Sequence, residues 1–144
     1  MKRKKIIILL VLSCLFASAF AFARSFAVIV HPDNPGQTLT AKELKMIFLG
    51  EKTTWPDKQP LKVAALKKGD THKEFLKDIV KISPMKFAVL WKHKIFTGSA
   101  AGTHINFFKN DEKLKDYIKA NPTAIGYISV NSVDDTIKEI KITR

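Results

Sequence analysis

The chain has 144 residues, 46% of them apolar and 26% charged, with a formal net charge of +12 at pH 7. That length suits one domain with a leader, and its one cysteine excludes an internal disulfide or a cysteine-based metal site. The excess of cations favours an anionic partner such as an oxyanion, an acidic protein or the envelope surface; nucleic acid is set aside because the lysines spread along helix faces instead of gathering with aromatics into one stripe.

Lys2, Arg3, Lys4 and Lys5 precede an apolar run over 6–22, which contains the start of Ala-Phe-Ala at 21–23. A basic start, an apolar stretch and a small-x-small site describe a secretory signal peptide. Residues 1–23 are therefore read as a signal peptide cleaved before Arg24, and residues 24–144 as a single periplasmic domain. The rival reading is a retained membrane anchor, since a 17-residue run is close to the shortest that spans a bilayer. Cys14 reads as a small apolar residue of that run, because Val-Leu-Ser-Cys is a poor lipoprotein box and the run continues past it. Without residues 1–23 the chain keeps 121 residues and no cysteine, and the loss of four cations lowers the charge to +8, from 21 Lys/Arg against 13 Asp/Glu. Export is a second argument against nucleic acid.

Residues 26–30, Phe-Ala-Val-Ile-Val, form a continuous apolar run suited to a strand covered on both faces. Pro32-Asp-Asn-Pro-Gly36 is turn chemistry. Thr40 and Glu43 have capping-box spacing, and Leu39 and Leu44 fall at the positions of a hydrophobic staple, so a helix is predicted from Thr40 with Leu44, Ile47 and Phe48 on its buried face. Gly50 ends it, and Trp55-Pro56 turns. A second strand is read over 61–66, with 67–70 as its exit loop. Thr71 and Glu74 repeat the capping-box spacing, which predicts a second helix from Thr71 with Phe75, Leu76, Ile79 and Val80 facing inward. Ser83-Pro84 opens a third helix with Phe87, Ala88, Trp91 and Ile95 on one side, broken by the small residues of 97–103. A fourth helix starts near Asn110 and carries Leu114, Tyr117 and Ile118. A third strand covers 124–130, and the tail over 136–142 alternates well enough to be an edge strand protected by lysines.

Strands alternating with helices imply an α/β sandwich. Four phrases in order carry a resemblance: the stretch 34–57 with its Asn-Pro, Leu-Thr, Ile-Phe-x-Gly and Trp-Pro-Asp, then GDTHKEFL, SPMKFAVLWKHKIFTG and NPTAIGYISV. Together they span about residues 26–130, and they resemble the phosphate-binding proteins of periplasmic phosphate importers. The resemblance implies a three-layer α/β sandwich, a mixed and mostly parallel sheet with helices on both faces, like one lobe of a type II periplasmic binding protein. Only the middle, contiguous lobe is matched. It also implies binding of phosphate or another small oxyanion for the membrane components of an ABC importer, without enzymatic activity or a cofactor. The alternative is an envelope scaffold or adaptor that binds another protein and has lost its ligand.

A strand-loop-helix unit aims backbone N–H groups at its loop and makes an anion site. By the resemblance, the family's Ser-Gly-Thr positions fall on Gly69, Asp70 and Thr71 and its arginine falls near Ala65, so only the threonine is kept. Lys67, Lys68 and His72 could restore positive charge, while Asp70 adds a negative one. The competing reading is that Asp70 and Thr71 only cap the helix. Thr97, Gly98 and Ser99 could face the loop across the sheet edge. A homodimer facing two such loops across a shared cleft would supply a second side. His31, His72, His93 and His104 lack zinc-site spacing, Trp55 and Trp91 read as core residues, and no carboxylate pair suggests acid–base catalysis.

Overall fold

The computed structural model describes residues 24–100 and 102–144. The signal-peptide reading and its membrane-anchor rival lie outside the described residues. Among the described residues, no helix is long and apolar enough to cross a membrane.

The apolar run after Ser25 forms β1 (Phe26–Val30), and all five of its residues are buried, as a strand covered on both faces requires. Next come β2 (Thr38–Thr40), α1 (Ala41–Phe48), β3 (Lys62–Leu66) and α2 (Asp70–Phe75), which runs on as a π-helical turn over Leu76–Val80. The chain continues through α3 (Pro84–Phe96), β4 (His104–Phe108), α4 (Asp111–Ala120), β5 (Ala124–Ser129) and β6 (Lys138–Thr143). The strands make one sheet in the order β2-β6-β1-β5-β3-β4. β5, β3 and β4 are mutually parallel, β2 is parallel to β6, and β1 is antiparallel to both its neighbours. The fold is therefore an α/β sandwich on a mixed, mostly parallel sheet.

Neighbouring residues of β5 show the two covered faces, because side chains alternate along a strand. A Cβ on Gly126 would lie 2.7 Å from Leu114 Cδ2 and 3.0 Å from the Ala64 oxygen, so α4 packs closely on that face. Tyr127 points the other way, where its ring stacks on Phe75 at 3.8 Å and meets Phe48 at 5.5 Å, placing α1 and α2 on the opposite face. α1 carries the capping box that its sequence predicts: Thr40 Oγ1 accepts from the Glu43 N–H at 3.1 Å, and Glu43 Oε2 accepts from the Thr40 N–H at 2.9 Å. The helix closes on Gly50 at φ +74°, beneath Trp91. The Trp91 Nε1–H donates to the Phe48 oxygen at 3.0 Å, so a core side chain satisfies a carbonyl left unpaired at the helix end.

Several expectations are corrected. β2 and β4 were not foreseen; β4 is only half-buried, and its residues, His-Ile-Asn-Phe-Phe, fall between the break over 97–103 and the helix expected near Asn110, where no element is read from the sequence. The tail strand β6 is not an edge, because β2 pairs with its last residues, Lys141 to Thr143. Thr71 and Glu74 form no capping box: Gly69 is the N-cap at φ +103°, and Glu74 instead accepts from Ser25 Oγ. On α3 only Phe87 and Trp91 are buried, while Ala88 and Ile95 are exposed. On α4, Leu114 and Ile118 are buried as the pattern indicates, but Lys115 is buried with them and Tyr117 is only half-buried.

Candidate functional site

In a parallel sheet, chain segments that leave the carboxyl ends of neighbouring strands meet at one edge, where ligands of open α/β sheets bind. Here that edge is shaped by the exits of β3, β4 and β5. The Lys67 N–H donates to the Phe108 oxygen at 2.9 Å and ties two of these exits together. Between them lies a shallow groove lined by Lys68, Gly69, Asp70 and Thr71 on one side and by Lys109, Asp111, Glu112 and Ser132 on the other.

Gly69 turns the chain from β3 into α2 at φ +103°, a left-handed conformation that strains any side chain. Among the described residues no side chain caps the helix, and the first intrahelical bond runs from the Lys73 N–H to the Gly69 oxygen at 3.1 Å. The N–H groups of Asp70, Thr71 and His72 therefore stand at the helix start without a side-chain acceptor among the described residues. The reading in which Asp70 and Thr71 cap the helix is overturned.

The side chains around these donors do not add up to a cationic site. Lys68 and Lys109 face three carboxylates: Asp70, Asp111 and Glu112. Asp111 is committed to holding the β5 exit, its Oδ2 accepting from the Ser129 N–H at 3.1 Å and from Ser132 Oγ at 2.6 Å. Glu112 pairs with the buried Lys115 ammonium at 3.0 Å, and Lys115 reaches Asp134 at 2.8 Å and the Ser132 oxygen at 3.1 Å. Hydrogen bonds from Lys115 and Thr136 hold the Asp134 carboxyl far below the usual range, and Asp134 and Glu112 in turn raise the lysine. That latch fixes the loop after β5 against α4. Asp70 has no cation within ion-pair distance among the described residues, and it sits where the helix dipole favours a negative charge.

The other candidates lie elsewhere. His72 is buried and stacks on Tyr127. Tyr127 Oη accepts the Leu66 N–H at 3.2 Å and lies 2.5 Å from His72 Nδ1, so the phenol donates to an unprotonated ring nitrogen. Burial lowers the His72 pKa and raises that of Tyr127, keeping both neutral at pH 7. His72 thus adds no cation to the loop, contrary to the expectation. Lys67 turns away from the groove and lines a separate trough with His72, Pro84 and Phe107. Thr97, Gly98 and Ser99 follow α3 on the way into the start of β4, at the opposite end of the strands from residues 68–71. They cannot face the loop. The Thr97 Oγ1–H donates to the His93 oxygen at 2.8 Å, and Ser99 Oγ lies 2.8 Å from Thr97 Oγ1, so these hydroxyls finish the helix.

Lys109, Asp111 and Glu112 were missed by sequence reasoning because β4 was, and Ser132 because nothing local places the turn after β5 beside the start of α4. Once residues 104–108 form a strand parallel to β3, the loop that follows must open beside residues 67–69. The alternating Ile105 and Phe107 were the signal available. Asn110 was foreseen at the start of α4, and its Oδ1 accepts the Lys113 N–H at 3.0 Å.

A family model described as a PBP superfamily domain matches residues 20–142. Among solved structures, the chain is similar to a protein of Clostridium perfringens described as a phosphate ABC transporter substrate-binding protein with bound phosphate. They share 27% identity over 82% of this chain and 44% of that one, with a TM-score of 0.63. An ABC-type phosphate transport receptor of Vibrio cholerae is 21% identical over 82% of this chain and 46% of its own, with a TM-score of 0.54. PstS of Borrelia burgdorferi is 13% identical over 83% of this chain and 47% of its own, with a TM-score of 0.58. The last two likenesses speak for the fold alone. The chain spans less than half the length of each of these structures. No curated protein matches the sequence.

Proposed function

The chain belongs to the PBP superfamily, and from that premise we propose that it is an exported, non-enzymatic binding lobe that recognises phosphate or another small oxyanion at the start of α2, with delivery to an ABC importer as its purpose. Export is part of the proposal, with residues 1–23 as its signal peptide and the periplasm as its destination. The observation that carries the reading is the uncapped start of α2, where Gly69 presents backbone donors at the carboxyl edge of parallel strands. In this reading Lys68 and Lys109 neutralise part of the ligand's charge, and Thr71 supplies a hydroxyl. Similarity to a phosphate-bound protein supports the choice of ligand class.

The same groove sets the strength. Its three carboxylates outnumber its two lysines, and a single lobe leaves half of a bound ion in water, so each contact is screened. Binding by the isolated chain is therefore weak, and tight capture needs a second surface, either another copy or a protein partner. The adaptor reading is favoured by that charge balance, which suits a site that has lost its ligand. A thermal-shift series with phosphate, sulfate and small carboxylates separates the two. A melting temperature that rises with one oxyanion in a saturable way supports the binding lobe, whereas no response to any of them at high concentration supports the adaptor.

A further inference from the structure

Among the described residues five large apolar side chains are strongly exposed, and four of them belong to α3: Phe96 at 90%, Met85 at 77%, Val89 at 61% and Ile95 at 58%. A helix that covers a core on one side should be polar on the other. α3 buries Phe87 and Trp91, yet its opposite side carries Met85, Val89 and Phe96 at spacings of four and seven residues, which form one row on a helix. Lys92 stands in the same row.

The charge on this helix has one sign. Its thirteen residues include Lys86, Lys92, Lys94 and His93 and no carboxylate. Two troughs flank the ridge, one bordered by Lys67 and Lys92 and the other by Lys86 and Lys94, and no carboxylate lines either. This contrasts with the groove at the start of α2, where carboxylates predominate. Lysine stems can lie along apolar surface while their ammonium groups reach outward.

We propose that the outer face of α3 docks on an anionic lipid surface, with Met85, Val89 and Phe96 entering the boundary between headgroups and acyl chains and the flanking lysines reaching the lipid phosphates. A helix that is apolar on its outer face and bordered by cations is the kind that lies in that interface. A second copy is disfavoured because two acid-free cationic faces repel. A rigid protein partner is disfavoured because interface anchors are usually received in preformed pockets, whereas these side chains protrude, and a fluid bilayer accepts protruding groups without one. The inference does not depend on oxyanion binding at α2.

The apolar run at 6–22 could bind vesicles by itself, so the readout must sit on α3. Phe96→Trp in the full chain places an exposed indole there, while Trp55 and Trp91 are buried and give a constant background. With phosphatidylglycerol-rich vesicles its emission should shift to the blue and be quenched by brominated phosphatidylglycerol. Pure phosphatidylcholine or high salt should abolish both effects. Adding Lys92→Glu, an exposed change, should lower partitioning about tenfold or more. An unshifted spectrum with anionic vesicles overturns the proposal, as does an equal shift with phosphatidylcholine. A blue shift without lipid that grows with protein concentration also overturns it, in favour of a second copy on this face.

Discussion

Replacing Asp70 by Ser should create or strengthen oxyanion binding at the start of α2. Asp70 is the first residue of the helix, exposed, and free of any ion pair among the described residues, so its charge acts on whatever approaches the adjacent N–H groups. Two unit charges of like sign about 4 Å apart repel by about 1 kcal/mol in water and about 4 kcal/mol at an effective dielectric near 20. An exposed site lies toward the lower limit, and a repulsion of about 1–2 kcal/mol corresponds to roughly five- to thirtyfold in affinity. A helix N-terminus contributes only about 0.3–1 kcal/mol to a nearby anion, so the carboxylate outweighs it. The substitution should cost the fold less than about 1 kcal/mol, because Asp70 loses its dipole interaction but no capping hydrogen bond; Gly should cost more than Ser through its poorer helix propensity. Calorimetric titration of phosphate into wild type, Asp70→Ser and Asp70→Gly checks the affinity, and thermal melts check the cost. Tight binding by wild-type monomer that disappears in Asp70→Ser would refute the reasoning and make the carboxylate an acceptor for a protonated ligand.

Trp91→Ala and Phe48→Ala should each cost about 3–5 kcal/mol, as large-to-small core changes do; unchanged melting temperatures would show that the buried faces are wrongly assigned. His72 has a folded-state pKa held below its unfolded value of about 6.5 by burial, so its contribution to stability is fully present above that pH and is lost as pH falls toward the folded value. Melting temperature should therefore decline below about pH 6.5, and His72→Gln should remove that part of the decline without abolishing acid unfolding from the carboxylates. Tyr127→Phe should cost about 1–3 kcal/mol, since it strips a buried N–H and a buried imidazole nitrogen of their shared partner; denaturant melts measure it. Intact mass of the exported protein should begin near Arg24, and a species retaining Met1 in the membrane, or a lipid on Cys14, would contradict the signal-peptide reading.

The parts of the fold that could be read in advance are those whose local chemistry and tertiary role agree. β1 was legible because an apolar run buried on both faces looks the same from sequence and from structure, and α1 because Thr40 and Glu43 need only each other. Thr71 and Glu74 have the same spacing and failed. Gly69 takes the capping position two residues before Thr71, and Glu74 is drawn to Ser25, a residue distant in sequence, so a tertiary contact displaced a local one. β4 was hidden because an edge strand buries only half of itself, and the groove beside α2 was then missing one wall. The outer face of α3 misled for the opposite reason: its residues are apolar, and burial was assumed from polarity for Ala88 and Ile95. His72 was counted as a charge because composition cannot show that Tyr127 will donate to it in a buried pair.

The distribution of charge also decides how a second copy could complete the anion site. The groove at the start of α2 holds two lysines and three carboxylates, so two such grooves facing each other bring little net repulsion. Among the described residues the charge on the face of α3 is all cationic, and the two faces differ enough that a dimer meeting at the grooves would leave α3 free. A phosphate trapped between two copies would have backbone donors on both sides and would lose most of its water, which strengthens every contact it makes. Its binding would then be linked to association, so apparent affinity should rise with protein concentration and phosphate should shift the protein from monomer to dimer. Sedimentation velocity with and without phosphate measures this directly, and Lys109→Glu should suppress the dimer that phosphate induces while leaving the monomer folded, because the change is confined to an exposed residue of the groove rim. A phosphate affinity that is independent of protein concentration, with a single monomeric species throughout, would dismiss the second copy and leave a different protein as the missing surface.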